Sequence, residues 1–286
     1  MQDDKPRRLT IIRDTGDKIF RGGIRAGGSV VLIIMVLVGS FLAFRASEAL
    51  GVAGWSFFTE QAWEPDQGKF GIAAVIVGTI LIATVAVCVA LPLALCTSLF
   101  ITEFAPRPLR SFLISIVDLM AAIPSVVFGL WGFFFFQPFV VPVSKWISQY
   151  FGWIPFLAVD GVDPTDPLAT TTVYTSSSFI AGIVVGMMVT PIVTSIMREV
   201  FSQTPIGERE AALGLGATRW AMIRNVVLPF GQGGIIGGTM LGLGRALGET
   251  ITVYMIISPV FTIQPHILQN GGNSVAALIA LRYGES

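Results

Sequence analysis

The chain has 286 residues, of which 53% are hydrophobic and 13% charged, with a mean hydropathy of +0.75 and a formal net charge of zero. A water-soluble globular domain carries about twice that charged fraction, so composition excludes an ordinary soluble protein and points to the bilayer. No nucleic-acid partner is expected.

Residues 1–25 form a polar, basic tail, and Gly22-Gly23 and Gly27-Gly28 loosen its approach to the membrane, where it lies on the lipid surface or stays flexible. Uncharged stretches then run from Ala26 to Phe44, Phe70 to Thr102, Leu119 to Ser144 and Pro167 to Met197; a fifth, Phe230 to Ile257, holds two charges. Each reaches the roughly 17 to 25 residues that cross a bilayer as a helix. The fold class is therefore all-α, a polytopic membrane protein with about five spanning helices in a domain from 26 to 286. The first apolar run is too long for a signal-peptide core, which favours an uncleaved anchor. Trp55, Phe57, Phe58 and Trp63 suit the interface that follows it.

In the second stretch Pro92 predicts a kink or local unwinding near Leu91. Cys88 and Cys96 are eight residues apart, about 12 Å along a helix, too far for a disulfide, and read as small core residues. A short return follows at Glu103-Phe104-Ala105-Pro106-Arg107-Pro108. The third helix carries Asp118 ahead of Ile123-Pro124-Ser125, and a carboxylate within a span is a site candidate by default. Between Gln137 and Ser178 lies an outer segment with Asp160, Asp163 and Asp166, whose spacing does not match an EF-hand loop; it reads as a solvated loop that helps receive an extracytoplasmic protein. The lone His266 has no Cys or His near it to build a metal site, so a surface or capping role is expected.

Basic residues alternate between loops. Lys5, Arg7, Arg8, Arg13, Lys18, Arg21 and Arg25 precede the first helix, Arg107 and Arg110 follow the second, and Arg198, Arg209, Arg219 and Arg224 follow the fourth. The other side holds only Arg45, Lys69, Lys145 and Arg282. The positive-inside rule places the N-terminus and the loop at Glu210 in the cytoplasm.

That loop, 198–229, is the most specific segment. Thr204-Pro205 suits an N-cap and first helical residue, Ala211-Ala212 presents a small-faced helix to a packing surface, and Gly216 permits a turn that other residues resist. Thr218 then caps a second short helix, with Trp220, Ile223 and Val227 at helical spacing before Pro229 ends it. Glu210-Ala211-Ala212-x-x-x-Gly216, followed by Val226-Val227-Leu228-Pro229, resembles the EAA loop of permease subunits in bacterial ABC importers. With Arg198-Glu199 and the run Leu243-Gly244-Arg245-Ala246-Leu247-Gly248-Glu249-Thr250, the chain resembles the PstC type of phosphate importer permease.

The resemblance implies the type I ABC importer transmembrane fold, with a sixth helix expected beyond Ser286. It implies a permease moving inorganic phosphate across the bacterial inner membrane, with Glu210, Ala211, Ala212, Gly216, Leu228 and Pro229 coupling to a separate ATPase. It further implies a related PstA-like permease, two PstB-like ATPase subunits and a PstS-like phosphate-binding protein as partners. No cofactor is expected on this chain, ATP and Mg belonging to the ATPase. The only Gly-Lys pair, Gly68-Lys69, is followed by Phe70 and lacks the Walker A spacing.

Arg245 and Glu249, four apart, are expected to share one face of the fifth helix, near the small residues Gly234, Gly238 and Gly242 that let another helix approach. This predicts a helix at the interface of two permease subunits, with Arg245, Glu249 and Asp118 on the substrate path. Arginine offers a permanent charge and paired donors to an oxyanion. A sulfate or molybdate permease and a secondary anion transporter are the alternatives. An intramembrane enzyme is disfavoured by the lack of a His-based dyad or a His-Glu-x-x-His motif.

Overall fold

The computed structural model describes residues 15–64, 69–166 and 170–282. Lys5, Arg7, Arg8, Arg13, Pro167 and Gly68 lie outside the described residues. The chain divides at Trp55 into two compact units.

The first unit is one helix, α1 (Thr15–Ala53), continuous through Gly22-Gly23 and Gly27-Gly28. The part of the basic tail from Thr15 onward is thus helical. Its apolar side chains are exposed all round, as a spanning helix in lipid presents them.

The second unit opens with a two-residue antiparallel pair, Trp63–Glu64 with Lys69–Phe70, and is otherwise built from helices. In order these are α2 (Ala73–Leu99), α3 (Arg107–Ala121), α4 (Ser125–Trp131), α5 (Gln137–Phe151), α6 (Ser178–Ser202), α7 (Ile206–Gly214), α8 (Arg219–Met222), α9 (Leu228–Leu247), α10 (Ile251–Ile256) and α11 (Val275–Arg282). A π turn, Gly132–Phe136, joins α4 to α5 in one helical run, and another, Ile223–Val227, joins α8 to α9. Among the described residues, five stretches are long and apolar enough to cross a membrane: Thr15–Phe58, Ala73–Phe104, Ser125–Phe151, Ser178–Ser202 and Arg219–Leu247. These are the five expected spans.

Their ends differ from the expectation in three places. The third span starts at Ser125 because the chain breaks after α3, so Asp118 belongs to the helix before the span. Ile123-Pro124 explains the break: proline bars the residue before it from helical geometry and supplies no N–H of its own. The fifth apolar stretch is cut at Gly248-Glu249-Thr250. Pro92, conversely, leaves α2 helical throughout, and the departure from α geometry comes later, in a π turn at Phe100–Phe104. The segment Trp146 to Phe151 is the end of α5.

The core centres on α6, which packs between α2 and α9. Small residues set the distances. A Cβ on Gly182 or Gly186 of α6 would lie 2.5 Å from Val85 Cβ or 2.8 Å from the Ala86 carbonyl oxygen of α2. On the other flank Gly234 and Gly242 of α9 sit against Val200 and Val193, where an added Cβ would come within 2.6 and 2.7 Å of side-chain carbons. The Gly234, Gly238 and Gly242 face is buried in this contact. It therefore serves packing inside the chain, the helix that approaches these glycines being α6. Cys88 and Cys96 are exposed on the outer face of α2 with Thr84 and Leu93, not in the core. Lipid is as apolar as their side chains and gives them no reason to turn inward.

Gly234→Ala is expected to destabilise the purified protein by about 1–3 kcal/mol through overpacking against Val200, whereas Gly27→Ala, on open α1, leaves the thermal midpoint unchanged or raised. Equal midpoints for the two variants would refute the packing role of Gly234.

Candidate functional site

Two regions gather the residues singled out in the sequence. The first is the polar loop between α6 and α9. Glu210, Ala211 and Ala212 lie on α7, with Glu210 and Ala211 exposed and Ala212 half-buried against the core. Gly216 turns the chain at φ +85°, a left-handed conformation that side chains resist. Thr218 caps α8, its hydroxyl oxygen accepting the Ala221 N–H at 3.2 Å.

Two details depart from expectation. Pro205 holds the N-cap position of α7, while the Thr204 hydroxyl is buried without a partner. Pro229 does not end α8. The π turn before it bonds the Leu228 N–H to the Ile223 carbonyl, and Pro229 falls in the first turn of α9, where a missing N–H costs least. Arg219 to Leu247 is consequently one continuous helical run.

Sequence reasoning missed what fixes this loop. Arg209 on α7 donates from Nη2 to the Phe201 carbonyl at 2.6 Å and places Nη1 3.2 Å from Glu103 Oε1. Phe201 is at the end of α6 and Glu103 follows α2, so one guanidinium ties the loop to the ends of two spans. The Glu103 carboxylate is 5% exposed, so the pair is shielded from the solvent screening that weakens surface ion pairs. Arg209 counted in the sequence only as loop charge; its spacing carried no signal for Glu103. Around this clamp Ile206, Leu213, Leu215 and Trp220 stand exposed, an apolar patch on a polar loop.

The second region is the pair of helix breaks. Arg245 sits in the last turn of α9, where a cation complements the helix dipole, and Glu249 lies in the break beyond it. The expected shared helical face does not exist, since α9 ends at Leu247. Glu249 is buried, and its Oε1 accepts from the Thr252 N–H at 3.2 Å and the Thr252 hydroxyl at 3.0 Å. Arg245 is exposed and, among the described residues, forms neither an ion pair nor a side-chain hydrogen bond.

The two breaks meet each other. The Thr252 hydroxyl lies 3.0 Å from the Ser125 carbonyl oxygen, and Gly129 lets α4 close on α10, where a Cβ would stand 2.9 Å from Met255 Sδ and 3.2 Å from Thr252 Cα. Asp118 is exposed, with the Ser195 hydroxyl 3.4 Å from its Oδ1. Gly242 faces Val189 and Val193, which puts Arg245 about one to two turns of α6 nearer the Ser178 end than Asp118. No hydrogen bond or ion pair brings Asp118 to Arg245 or Glu249.

At the other end of the spans the acidic segment is engaged internally. His266 places Nδ1 2.8 Å from the Pro155 carbonyl and Nε2 3.1 Å from Asp160 Oδ2, so it joins two loops. Hydrogen bonds from the Thr165 hydroxyl and N–H hold the pKa of Asp163 below the ordinary carboxylate range, and Lys145 Nζ donates to the Asp166 carbonyl.

A multi-span helical membrane protein with a clamped polar loop and charged residues at broken helices has the features of a transport component. Residues 91–281 match the family described as binding-protein-dependent transport system inner membrane component. The chain is 38% identical over 268 residues to the phosphate transport system permease protein PstC 2 of Mycobacterium bovis, covering 93% of this chain and 80% of that protein. It is 36% identical over 277 residues to PstC of Xylella fastidiosa (96% and 83%) and 35% identical over 271 residues to PstC of Mesorhizobium japonicum (94% and 80%). The chain belongs to the binding-protein-dependent transport system inner membrane component family.

Glu103→Gln or Arg209→Ala alone leaves an uncompensated buried group and is expected to cost about 3–5 kcal/mol of stability. The double variant should cost at least about 1 kcal/mol less than the two singles combined, read from thermal unfolding. Simple additivity would show that the clamp is not a pair.

Proposed function

We propose that the chain is the permease subunit of an ATP-driven importer that moves inorganic phosphate across the bacterial inner membrane. The observation that carries this reading is Arg245: a guanidinium exposed on a spanning helix with no counter-ion among the described residues. Such a charge is costly against hydrocarbon and demands water or protein opposite it. A path between this chain and a related permease supplies both, and the planar donors of Arg245 match a tetrahedral oxyanion passing there. The names of the relatives favour phosphate over sulfate or molybdate.

The EAA-like loop is the contact for a separate ATPase. Ile206, Leu213, Leu215 and Trp220 offer apolar area around Glu210 and Ala211, and the Arg209 clamp passes motion of the loop to the ends of α2 and α6. ATP and Mg stay on that ATPase, and a phosphate-binding protein delivers substrate at the opposite face. The N-terminus and the loop lie in the cytoplasm, as the loop arginines demand. Asp118 and Glu249 adjust the charge along the path, Glu249 from a buried position behind Arg245.

Arg245→Gln is expected to abolish phosphate uptake by the assembled complex, with a loss above 100-fold, while subunit assembly and ATP binding persist. Normal uptake by this variant would reject the role of Arg245. A cysteine at Ala211, on the exposed face of α7, should crosslink to the ATPase subunit, and failure to capture any ATPase there would sink the coupling assignment. Competition by sulfate or molybdate at phosphate-like concentrations would replace phosphate as the cargo.

A further inference from the structure

The joint between the two helix breaks contains a shortage of protons. Thr252 is fully buried, and its single hydroxyl proton faces two oxygen acceptors at equal range, Glu249 Oε1 and the Ser125 carbonyl oxygen, each 3.0 Å away, with the weaker acceptor Met188 Sδ farther off at 3.9 Å. Neither acceptor can donate while Glu249 is ionised. A bond to a carboxylate is roughly twice as strong as one between neutral groups. With Glu249 ionised the hydroxyl therefore turns to it, and the Ser125 carbonyl loses its link to α10.

When Glu249 takes a proton from water, the order reverses. Its O–H donates to Thr252 Oγ1, Thr252 donates onward to Ser125, and the two short helices are bonded across the joint. Among the described residues, no other ionisable group settles the competition. α4 and the following π turn carry none, α6 has only Arg198 and Glu199 at its far end, and Arg245, Tyr254 and Arg282 on α9, α10 and α11 form no ion pair with Glu249.

We infer that Thr252 is a positioning residue whose hydroxyl couples the charge state of Glu249 to the joint between α4 and α10. This rests on the reading that Glu249 lies beside the substrate path. It assigns the joint a looser state when the carboxylate is charged and a tighter one when that charge is neutralised.

The test is hydrogen exchange on the intact complex in lipid nanodiscs, which needs no substrate, followed over residues 125–129 and 250–256. Glu249→Gln, the neutral mimic, should slow exchange in both segments about threefold or more. Thr252→Val should speed it and cancel the effect of Glu249→Gln, while Thr252→Ser behaves as wild type. Thr252→Ala removes the same hydroxyl and stands in if the valine variant fails to assemble. In uptake assays with inorganic phosphate, hydroxyl loss should lower the maximal rate about tenfold with an unchanged half-saturating concentration, and serine should restore it. Equal slowing by Glu249→Gln with and without the hydroxyl, or no rescue by serine, would overturn the inference. Wild-type complex that carries no phosphate would instead overturn the transport reading, leaving the exchange result to stand or fall by itself.

Discussion

Close approach of helices to α6 is the interaction on which the rest of the structure depends. In hydrocarbon, burying an apolar side chain against another helix gains little over burying it in lipid, so helices associate where their backbones come near enough for dense van der Waals contact. Glycine makes that possible on both flanks, with Gly182 and Gly186 facing α2 and Gly234, Gly238 and Gly242 facing α6 from α9. Because the contacts at Gly182, Gly186, Gly234 and Gly242 leave no room for a Cβ, they also fix the depth of α9 relative to α6. The level of Arg245 in the membrane is set by them.

A second constraint follows from the first. Backbone groups freed where a helix breaks must find partners inside the protein, since lipid offers none. The breaks at Ile123-Pro124 and Gly248-Glu249-Thr250 share a partner: the Thr252 N–H donates to Glu249, and the one Thr252 hydroxyl proton lies within reach of both Glu249 and the Ser125 carbonyl across the joint. A charged side chain is thus built into the backbone accounting of the break.

Much of this was legible in the sequence, for physical reasons that also mark where legibility stops. Five spans follow from runs of uncharged residues, because the length of a spanning helix is fixed by the bilayer. The loop turned where Gly216 allowed it and Thr218 capped the helix it was expected to cap. Residue spacing failed where partners come from distant segments: nothing local to Arg209 names Glu103, and nothing local to Thr252 names Ser125. It also failed where a helical rule was applied through a break, placing Arg245 and Glu249 on one face although Gly248 ends the helix. Local unwinding, one of the two outcomes expected at Pro92, is absent from the continuous α2, and Pro229, expected to end a helix, is placed by a π turn where no N–H is needed.

That π turn bears on how the loop and the charged region communicate. Had Pro229 ended a separate short helix, movement of the loop would reach α9 through a flexible connection. Instead the 29 residues from Arg219 to Leu247 form one run of about 43 Å, with Thr218 capping its start and Arg245 in its last turn. The Arg209 clamp holds the preceding helix to the ends of α2 and α6, the same two helices whose glycine contacts locate α9. Under the proposed coupling, a push on the loop would meet two routes to Arg245, along α9 itself and through the packed α6. Beyond it, at Gly248-Glu249-Thr250, the chain leaves helical geometry, and hydrogen bonds of Thr252 hold the joint.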